Sequence, residues 1–353
     1  MLVLAAISLA GWLGVLLGTD RAWDLRPIAE DEPSPPDPPR WPSVAVLVPA
    51  RNEAAVLPLT LPSLKAQDYP GKLRVIVVDD RSTDGTPEFA AVAGAALPVG
   101  WVGKVWALEQ GRRAADEPDY YLLTDADIRH APGSARRLVA ESEAGGLVLD
   151  SRMARLHCES AAEKLLIPPF VYFFNLLYPM RRVNRRPAAA GGCMLVRRDA
   201  LERAGGFEAI RDRVIDDVSL ARALAPQGRV RLALSRGEVE SVREHDFAGI
   251  WRMVRRTAFT QLRGSWPLLA LTIALLLLLF AAPPLLTIVG AARGNTLALA
   301  VASAAWALLT LLYVPSVRYF RVAPLWALSL PLAACLYGGM TVDSALRGRK
   351  SGW

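Results

Sequence analysis

Three runs without a charged residue, 268–289, 296–317 and 322–342, lie toward the end of the chain and constrain its fold more than any other feature. At about 1.5 Å per helical residue, each makes a helix of roughly 31–33 Å, enough for a hydrocarbon core of about 30 Å. Buried helices of a soluble core are the alternative, but three such runs in succession, with short polar breaks, argue against it. The expectation is three transmembrane or membrane-embedded helices over 265–342 and a basic tail over 343–353. Residues 1–19 form a fourth, shorter apolar run. It lacks the basic n-region and small-x-small cleavage site of a signal peptide, so it reads as an uncleaved anchor. These segments account for a mean hydropathy of +0.25.

The net charge of +7 gathers near the apolar segments. Arg252, Arg255, Arg256 and Arg263 precede the first C-terminal run, which by the positive-inside rule puts the polar domain in the cytoplasm. Nucleic acid is not the expected partner, because aromatic interleaving and a reader motif are missing. Lipid headgroups or a pyrophosphate suit the charge better. Three runs starting inside would leave the tail outside, yet it carries Arg347, Arg349 and Lys350. Either one run is re-entrant or interfacial, or the charge rule fails here. Pro283 and Pro284 mark a kink or break in the first run. Cys158, Cys193 and Cys335 have no ligand spacing and suggest no disulfide framework, which fits a reducing compartment. His130, His157 and His245 are likewise scattered and read as surface or core residues.

Residues 20–42 read as a Pro-rich linker and 43–264 as one polar domain. Within it strands and helices alternate. Strands are expected at 43–48, ended by Pro49, and at 73–78, 120–124 and 147–149. Helices are expected at 54–66, 86–94, 104–115 and 134–143. This alternation predicts an α/β fold, a mixed, mainly parallel sheet with helices on both faces. Ligands of such sheets sit beyond the carboxyl ends of the strands, and the acids of this chain lie at those ends.

The strand over 120–124 runs into Asp125-Ala126-Asp127. In an extended chain residues i and i+2 point the same way, about 7 Å apart. Two carboxylates so placed suit a hard divalent cation. Alternatively Asp127 caps a helix beginning near Pro132. Upstream, Val78-Asp79-Asp80-Arg81-Ser82-Thr83-Asp84-Gly85-Thr86 crowds acids and hydroxyls into one loop. Such residues also form ordinary turns, but adjacent aspartates at the end of a buried strand repel unless donors bind them. Residues 165–180, aromatic and apolar between Lys164 and Arg181, suit an interfacial helix or a core helix.

V-P-A-R-N-E (Val48 to Glu53), then V-D-D-R-S-T-D-G-T, then T-D-A-D, together resemble the family 2 glycosyltransferases of the GT-A (Rossmann-like) fold, over about 43–225. The N-terminal anchor, the three apolar runs and Gly100-Trp101-Val102-Gly103-Lys104 make the chain most similar to the hopene-associated bacterial membrane glycosyltransferases. The resemblance implies residue roles. Pro49, Arg51, Glu53 and one of Asp79 or Asp80 would hold the nucleotide of a UDP-linked sugar, with Lys104 contacting it as well. Asp125 and Asp127 would place Mg2+ or Mn2+ on the diphosphate. Val214 to Arg222 resembles the family's E-D-x-x-L-x-x-R/K element, with Asp216 where glutamate is commoner and Asp217 in the position of the base. Acids in a first helical turn also cap their helix. Gly191, Gly192 and Cys193 would lie on the acceptor side. Arg255 or Arg256 would grip the pyrophosphate, although the Q-x-x-R-W of processive members is absent from 251–257.

The implied protein is a multi-pass enzyme of the bacterial inner membrane with a cytoplasmic catalytic domain. It would transfer a sugar, with inversion, from a nucleotide-sugar donor to the hydroxyl of a membrane lipid acceptor such as a hopanoid. A processive polysaccharide synthase and a catalytically degenerate membrane scaffold are the alternatives.

Overall fold

The computed structural model describes residues 1–18, 21, 23–25, 35–235 and 237–347. Most of 20–34 in the Pro-rich stretch, and Arg349 and Lys350 of the tail, lie outside the described residues. The chain forms two compact units. One comprises Pro27–His157, Arg182–Arg243 and Ser351–Trp353, the other Met1–Arg26, Cys158–Arg181 and Glu244–Lys350. Residues 158–181 and 244–264 therefore cluster with the apolar helices and not with the sheet.

The first of these units is built on a seven-stranded sheet. With elements numbered in chain order, its strands are β1 (Val44–Ala50), β2 (Leu73–Asp79), β3 (Val92–Ala93), β4 (Tyr120–Thr124), β6 (Leu147–Met153), β7 (Cys193–Arg197) and β8 (Arg229–Leu234). Their order is β3-β2-β1-β4-β7-β6-β8. All neighbours pair in parallel except β7, which is antiparallel to both β4 and β6. A ribbon of β5 (Ile128–His130) and β9 (Val239–Ser241) lies apart from the main sheet. The helices of this unit are α2 (Leu57–Lys65), α3 (Gly103–Ala114), α4 (Ser134–Gly145), α6 (Arg198–Arg203) and α7 (Asp216–Leu224).

Strand alternation puts helices on both faces. Val44, Val46 and Val48 join a core with Leu57, Leu61 and Leu64 of α2 and Leu138 and Val139 of α4. Leu47 and Val78 face the other way, against Gly111 of α3. The mixed, mainly parallel sheet expected from the sequence is thus present.

Several boundaries differ from expectation. β1 runs through Pro49 to Ala50. The Val44 N to Lys72 O and Asp80 N to Ala50 O bonds put the hydrogen bonds of the even residues on β2. The N–H that Pro49 lacks would therefore point toward β4, where pairing has already ended at Leu47–Leu123. The helix expected over 86–94 shrinks to a 3-10 turn, Thr86–Phe89, because Val92 and Ala93 pair with Val78 and Asp79 as β3. Gly94 allows this close return: a Cβ there would lie 2.1 Å from the Asp79 carbonyl oxygen. β6 continues to Met153, past the expected end at 149, through buried Asp150 and Arg152, whose charges pair with each other and with Glu141 and Arg231.

The other unit holds α1 (Leu2–Leu17), α5 (Ala161–Leu177), α8 (Phe247–Gln261), α9 (Trp266–Leu276), α10 (Ala282–Ala292), α11 (Thr296–Tyr319) and α12 (Leu330–Arg347). Trp266–Ala292, Thr296–Tyr319 and Pro324–Arg347 are long and apolar enough to cross a membrane. The break expected at Pro283-Pro284 is a π-helical turn, Leu277–Ala281, joining α9 to α10. Pro283 has no N–H to give the Leu279 carbonyl four residues earlier. Trp12 Nε1 of α1 donates to that oxygen instead, at 2.8 Å. A freed carbonyl in an apolar setting thus ties the N-terminal helix to the bundle. α5 begins with a capping box of Ser160 and Glu163 and buries Leu166, Ile167, Val171 and Tyr172 within this unit.

Packing sets the direction of the last helices. Gly338 of α12 packs on Ile273 and Leu276 of α9, and Asp343 accepts from Trp251 Nε1 of α8 at 2.8 Å. α12 therefore runs toward the end where α8 leads into α9. α11, antiparallel to α10 through Gly290 and Leu299, runs the same way. The 3-10 segment Pro324–Ser329 turns the chain back between them, and α12 starts beside the π-helical turn. Arg347 thus ends on the same side as the arginines of α8, with Asp343 between it and Arg255.

Candidate active site

The carboxyl ends of β1, β2 and β4 share one edge of the sheet, and β7, being antiparallel, begins there: Thr124 pairs with Cys193. The loops at this edge carry most of the acids singled out in the sequence.

The D-A-D segment is a turn, not the extended chain expected, closed by Ile128 N donating to Asp125 O at 3.2 Å. Asp127 does not cap α4, whose N-cap is Gly133. Each acid faces a cation. Lys104 Nζ, in the first turn of α3, lies 2.7 Å from Asp125 Oδ1. Arg243 Nε lies 3.3 Å from Asp127 Oδ2, which also accepts from Ser241 Oγ at 2.7 Å. Burial raises the Asp125 carboxyl above its ordinary value, with Lys104 pulling it down and Asp127 pushing it up. Burial alone depresses the Lys104 ammonium, but Asp125 and Asp216 outweigh it and keep the group charged.

Asp216 and Asp217 open α7. Asp216 Oδ2 is 3.4 Å from Lys104 Nζ, so one ammonium joins the D-A-D turn to this helix. Asp217 Oδ1 accepts from Val218 N at 2.7 Å and Oδ2 from Gly191 N at 3.1 Å. Asp217 thus satisfies one N–H of the first turn of α7. Burial, then the adjacent Asp216 charge, push its carboxyl up to about 7. At Gly191 a Cβ would stand 3.2 Å from Lys104 Nζ, so a side chain there would press on the ammonium, and it would touch Asp217 Oδ2 at 3.6 Å. Gly192 is held by Thr124 Oγ1 donating to its carbonyl at 2.9 Å. Cys193 is fully buried in β7 and burial pushes its thiol up to about 12, so it is not exposed to an acceptor.

At the ends of β1 and β2, Asp79 accepts from Ser82 N at 3.2 Å, and Asp80 lies 3.6 Å from Arg51 Nη1. Asn52 Oδ1 accepts from Thr83 N at 2.8 Å, joining the two loops. Asp84 accepts from Thr86 Oγ1 and Ala54 N, so it shapes the loop. Glu53 contacts Arg243 Nη2 at 2.5 Å, and burial lifts its carboxyl against that pull. Arg255 and Arg256 sit on α8 in the other unit, where Arg255 lies 3.5 Å from Asp343.

Arg243 has no role expected from the sequence, although V-E-S-V-R has the two-residue period that puts Ser241 and Arg243 on one side. His130, isolated in sequence, is 2% exposed, with Nε2 2.9 Å from Thr124 Oγ1 and Nδ1 3.2 Å from Ser134 Oγ. Burial holds the His130 pKa down to about 4. The unfolded imidazole takes its proton near pH 6.5, the folded one only near 4. Between these values the unfolded state binds more protons, so stability rises with pH and is lost on acidification. Melting followed in detergent should show a loss of about 3 kcal/mol from pH 7 to pH 4 attributable to this residue. His130→Gln should remove that part of the pH dependence, and an unchanged pH profile in the variant would exclude His130 as its source.

Asp125 and Asp127 are hard oxygen donors of the kind that suits Mg2+ or Mn2+. Among the described residues no group of three or more His, Cys, Asp or Glu gathers to hold a metal ion. A cation at the turn would need oxygens from a ligand or water to complete its shell, and with that addition the two acids fit it.

Residues 45–205 match the profile described as Glycosyl transferase family 2. An N-acetylglucosaminyltransferase of Mesorhizobium japonicum is 33% identical over 189 residues, 48% of this chain and 43% of that one. Cellulose synthase 1 of Komagataeibacter xylinus is 30% identical over 192 residues, 50% of this chain and 12% of the synthase. The chain thus spans less than half the length of either relative. Among solved structures, a mannosyltransferase from Pyrobaculum calidifontis, in complex with GDP-Man and Mn2+, superposes with a TM-score of 0.53 at 22% identity, covering 96% of this chain and 98% of that one. Profile and superposition agree: residues 45–205 are similar to the glycosyl transferase family 2 domain, and the chain has the GT-A fold.

Proposed function

We propose that the protein is a membrane-embedded, inverting glycosyltransferase that moves a sugar from a nucleoside diphosphate, UDP in the first instance, to the hydroxyl of a membrane lipid of the hopanoid class. The observation that carries this reading is Asp217. It is a half-buried carboxylate held by two backbone N–H groups, next to a small-residue loop, and its neighbour Asp216 is joined through Lys104 to the D-A-D turn. Glu53 and Asp79 or Asp80 hold the nucleoside, with Arg51 and Pro49 shaping the end of β1. Lys104 faces the diphosphate. Gly191 and Gly192 leave room for the acceptor beside Asp217, which takes the hydroxyl proton as oxygen attacks the anomeric carbon. Mg2+ or Mn2+ on Asp125 and Asp127 would neutralise charge on the departing diphosphate. A base poised near neutrality suits this proton transfer.

The lipid acceptor is supported by the apolar helices carried on the same chain. We place the enzyme in the bacterial inner membrane with the catalytic domain in the cytoplasm. The arginines of α8 and Arg347 at one end of the bundle favour that orientation. Likeness to cellulose synthase favours a second reading, processive polymer synthesis. The missing Q-x-x-R-W motif weighs against it.

The test is a membrane assay with labelled UDP- and GDP-sugars, with mass spectrometry of the lipid extract. A lipid glycoside is expected. Insoluble polymer would select the synthase, and no product with any donor would select a scaffold.

A further inference from the structure

Arg243 spans the site. Leaving β9, its guanidinium reaches Glu53 at the end of β1 with Nη2 and Asp127 of the D-A-D turn with Nε. The planar fork suits two acids at once. The backbone beneath it is fixed, because Val242 N donates to Asp127 O at 2.9 Å and Ser241 Oγ to the Asp127 carboxylate. Burial lowers the affinity of this arginine for its proton, but Asp127 and Glu53 more than compensate, so the charge stays.

We infer that Arg243 is a counter-ion latch: in the donor-free protein it occupies Asp127 and Glu53, and it turns to the donor's diphosphate when a divalent cation takes its place. Arg243 becomes a positioning residue that makes cation and donor bind together, an inference that rests on the functional reading above. The reason is charge conservation at one carboxylate. A guanidinium does not deprotonate in proteins, so a divalent cation on Asp127 meets a fixed positive charge within ion-pair distance. Either the cation binds weakly or the fork leaves. Once displaced, the fork needs an anion, and a diphosphate presents oxygens in the geometry that arginine prefers. Release of Glu53 by the same movement frees it for the nucleoside. The coupling is reciprocal by thermodynamic linkage: whatever factor the donor adds to cation affinity, the cation adds to donor affinity.

The test is calorimetric titration of MnCl2 into the full chain in detergent, alone and with saturating UDP or GDP. Arg243→Gln should bind Mn2+ alone about tenfold more tightly than the wild type, the size of a modest ion pair removed. It should also lose most of the gain that nucleotide gives the wild type. Arg243→Lys keeps the charge without the fork and should fall between them, which covers a folding failure of the glutamine variant. Mn2+ binding by Arg243→Gln no tighter than wild type, while Asp127→Asn abolishes it, overturns the latch alone. No Mn2+ binding by any of these proteins, with or without nucleotide, overturns the latch together with the metal reading.

Discussion

Asp217→Asn retains nucleotide-sugar binding and loses transfer by about 10²–10⁴-fold, the range for removing a general base. Asparagine keeps the shape and one of the Val218 and Gly191 N–H bonds through its carbonyl oxygen, while its NH2 group cannot accept the other. What it lacks is basicity. Single-turnover measurements with preloaded donor isolate this step, and donor affinity is read separately by titration. Burial and the neighbouring Asp216 charge keep the wild-type carboxyl up at about 7, so its transfer rate falls on acidification below neutrality, whereas the residual rate of the variant does not follow that curve. Lost donor binding with a normal single-turnover rate would remove Asp217 from the base role. Asp216→Asn is the internal control. Its carboxylate faces Lys104 at 3.4 Å, so the effect expected is on donor binding more than on the transfer step.

Asp127→Asn abolishes Mg2+- or Mn2+-stimulated transfer while the sheet stays folded. The neutral amide halves the anionic oxygen set of the turn, and what remains, Asp125, already carries the Lys104 ammonium. A hard divalent cation gains little from a single shared carboxylate. The loss expected is about 10²-fold or more in the metal-stimulated rate, comparable to removing an electrostatic stabiliser of developing charge. Measured across a metal titration, the variant should not be rescued by added Mn2+. Wild-type turnover in Asp127→Asn would defeat the metal assignment and leave Lys104 as the chief cation at the diphosphate.

Much of this site is legible from order alone. Val48 to Glu53, Val78 to Thr86 and Tyr120 to Asp127 each put polar residues directly after a buried apolar run. Strand periodicity then suffices to place them on one edge. The same logic misjudged two segments. Residues 86–94 carry good helix-start signals at Thr86 and Pro87, but a short helix gains less than edge pairing of Val92 and Ala93 with β2. The D-A-D segment suits an extended strand by alternation, yet it turns because β5 must leave the main sheet to pair with β9.

Arg243 and Lys104 show the other limit. Each owes its place to a partner more than 20 residues away in sequence, so no local pattern reveals the pairing. Arg255 and Arg256 lie on α8, which clusters with the long apolar helices and not with the sheet, and no local pattern reveals that either.

By itself the sequence determined two patterns in this protein. It holds uncharged runs long enough for a bilayer, and acids at strand ends that match a family 2 glycosyltransferase. Both are set by short-range rules, hydropathy over one helix length and a period of two along a strand. Tertiary structure alone decided which charges meet and which way the last helix runs. An antiparallel β7 brings Gly191 to Asp217, the β5–β9 ribbon brings Arg243 to Asp127, and a turn at Pro324–Ser329 returns the tail to α8. These are long-range contacts, fixed by packing and by the cost of an unpaired buried charge, and no window of neighbouring residues contains them.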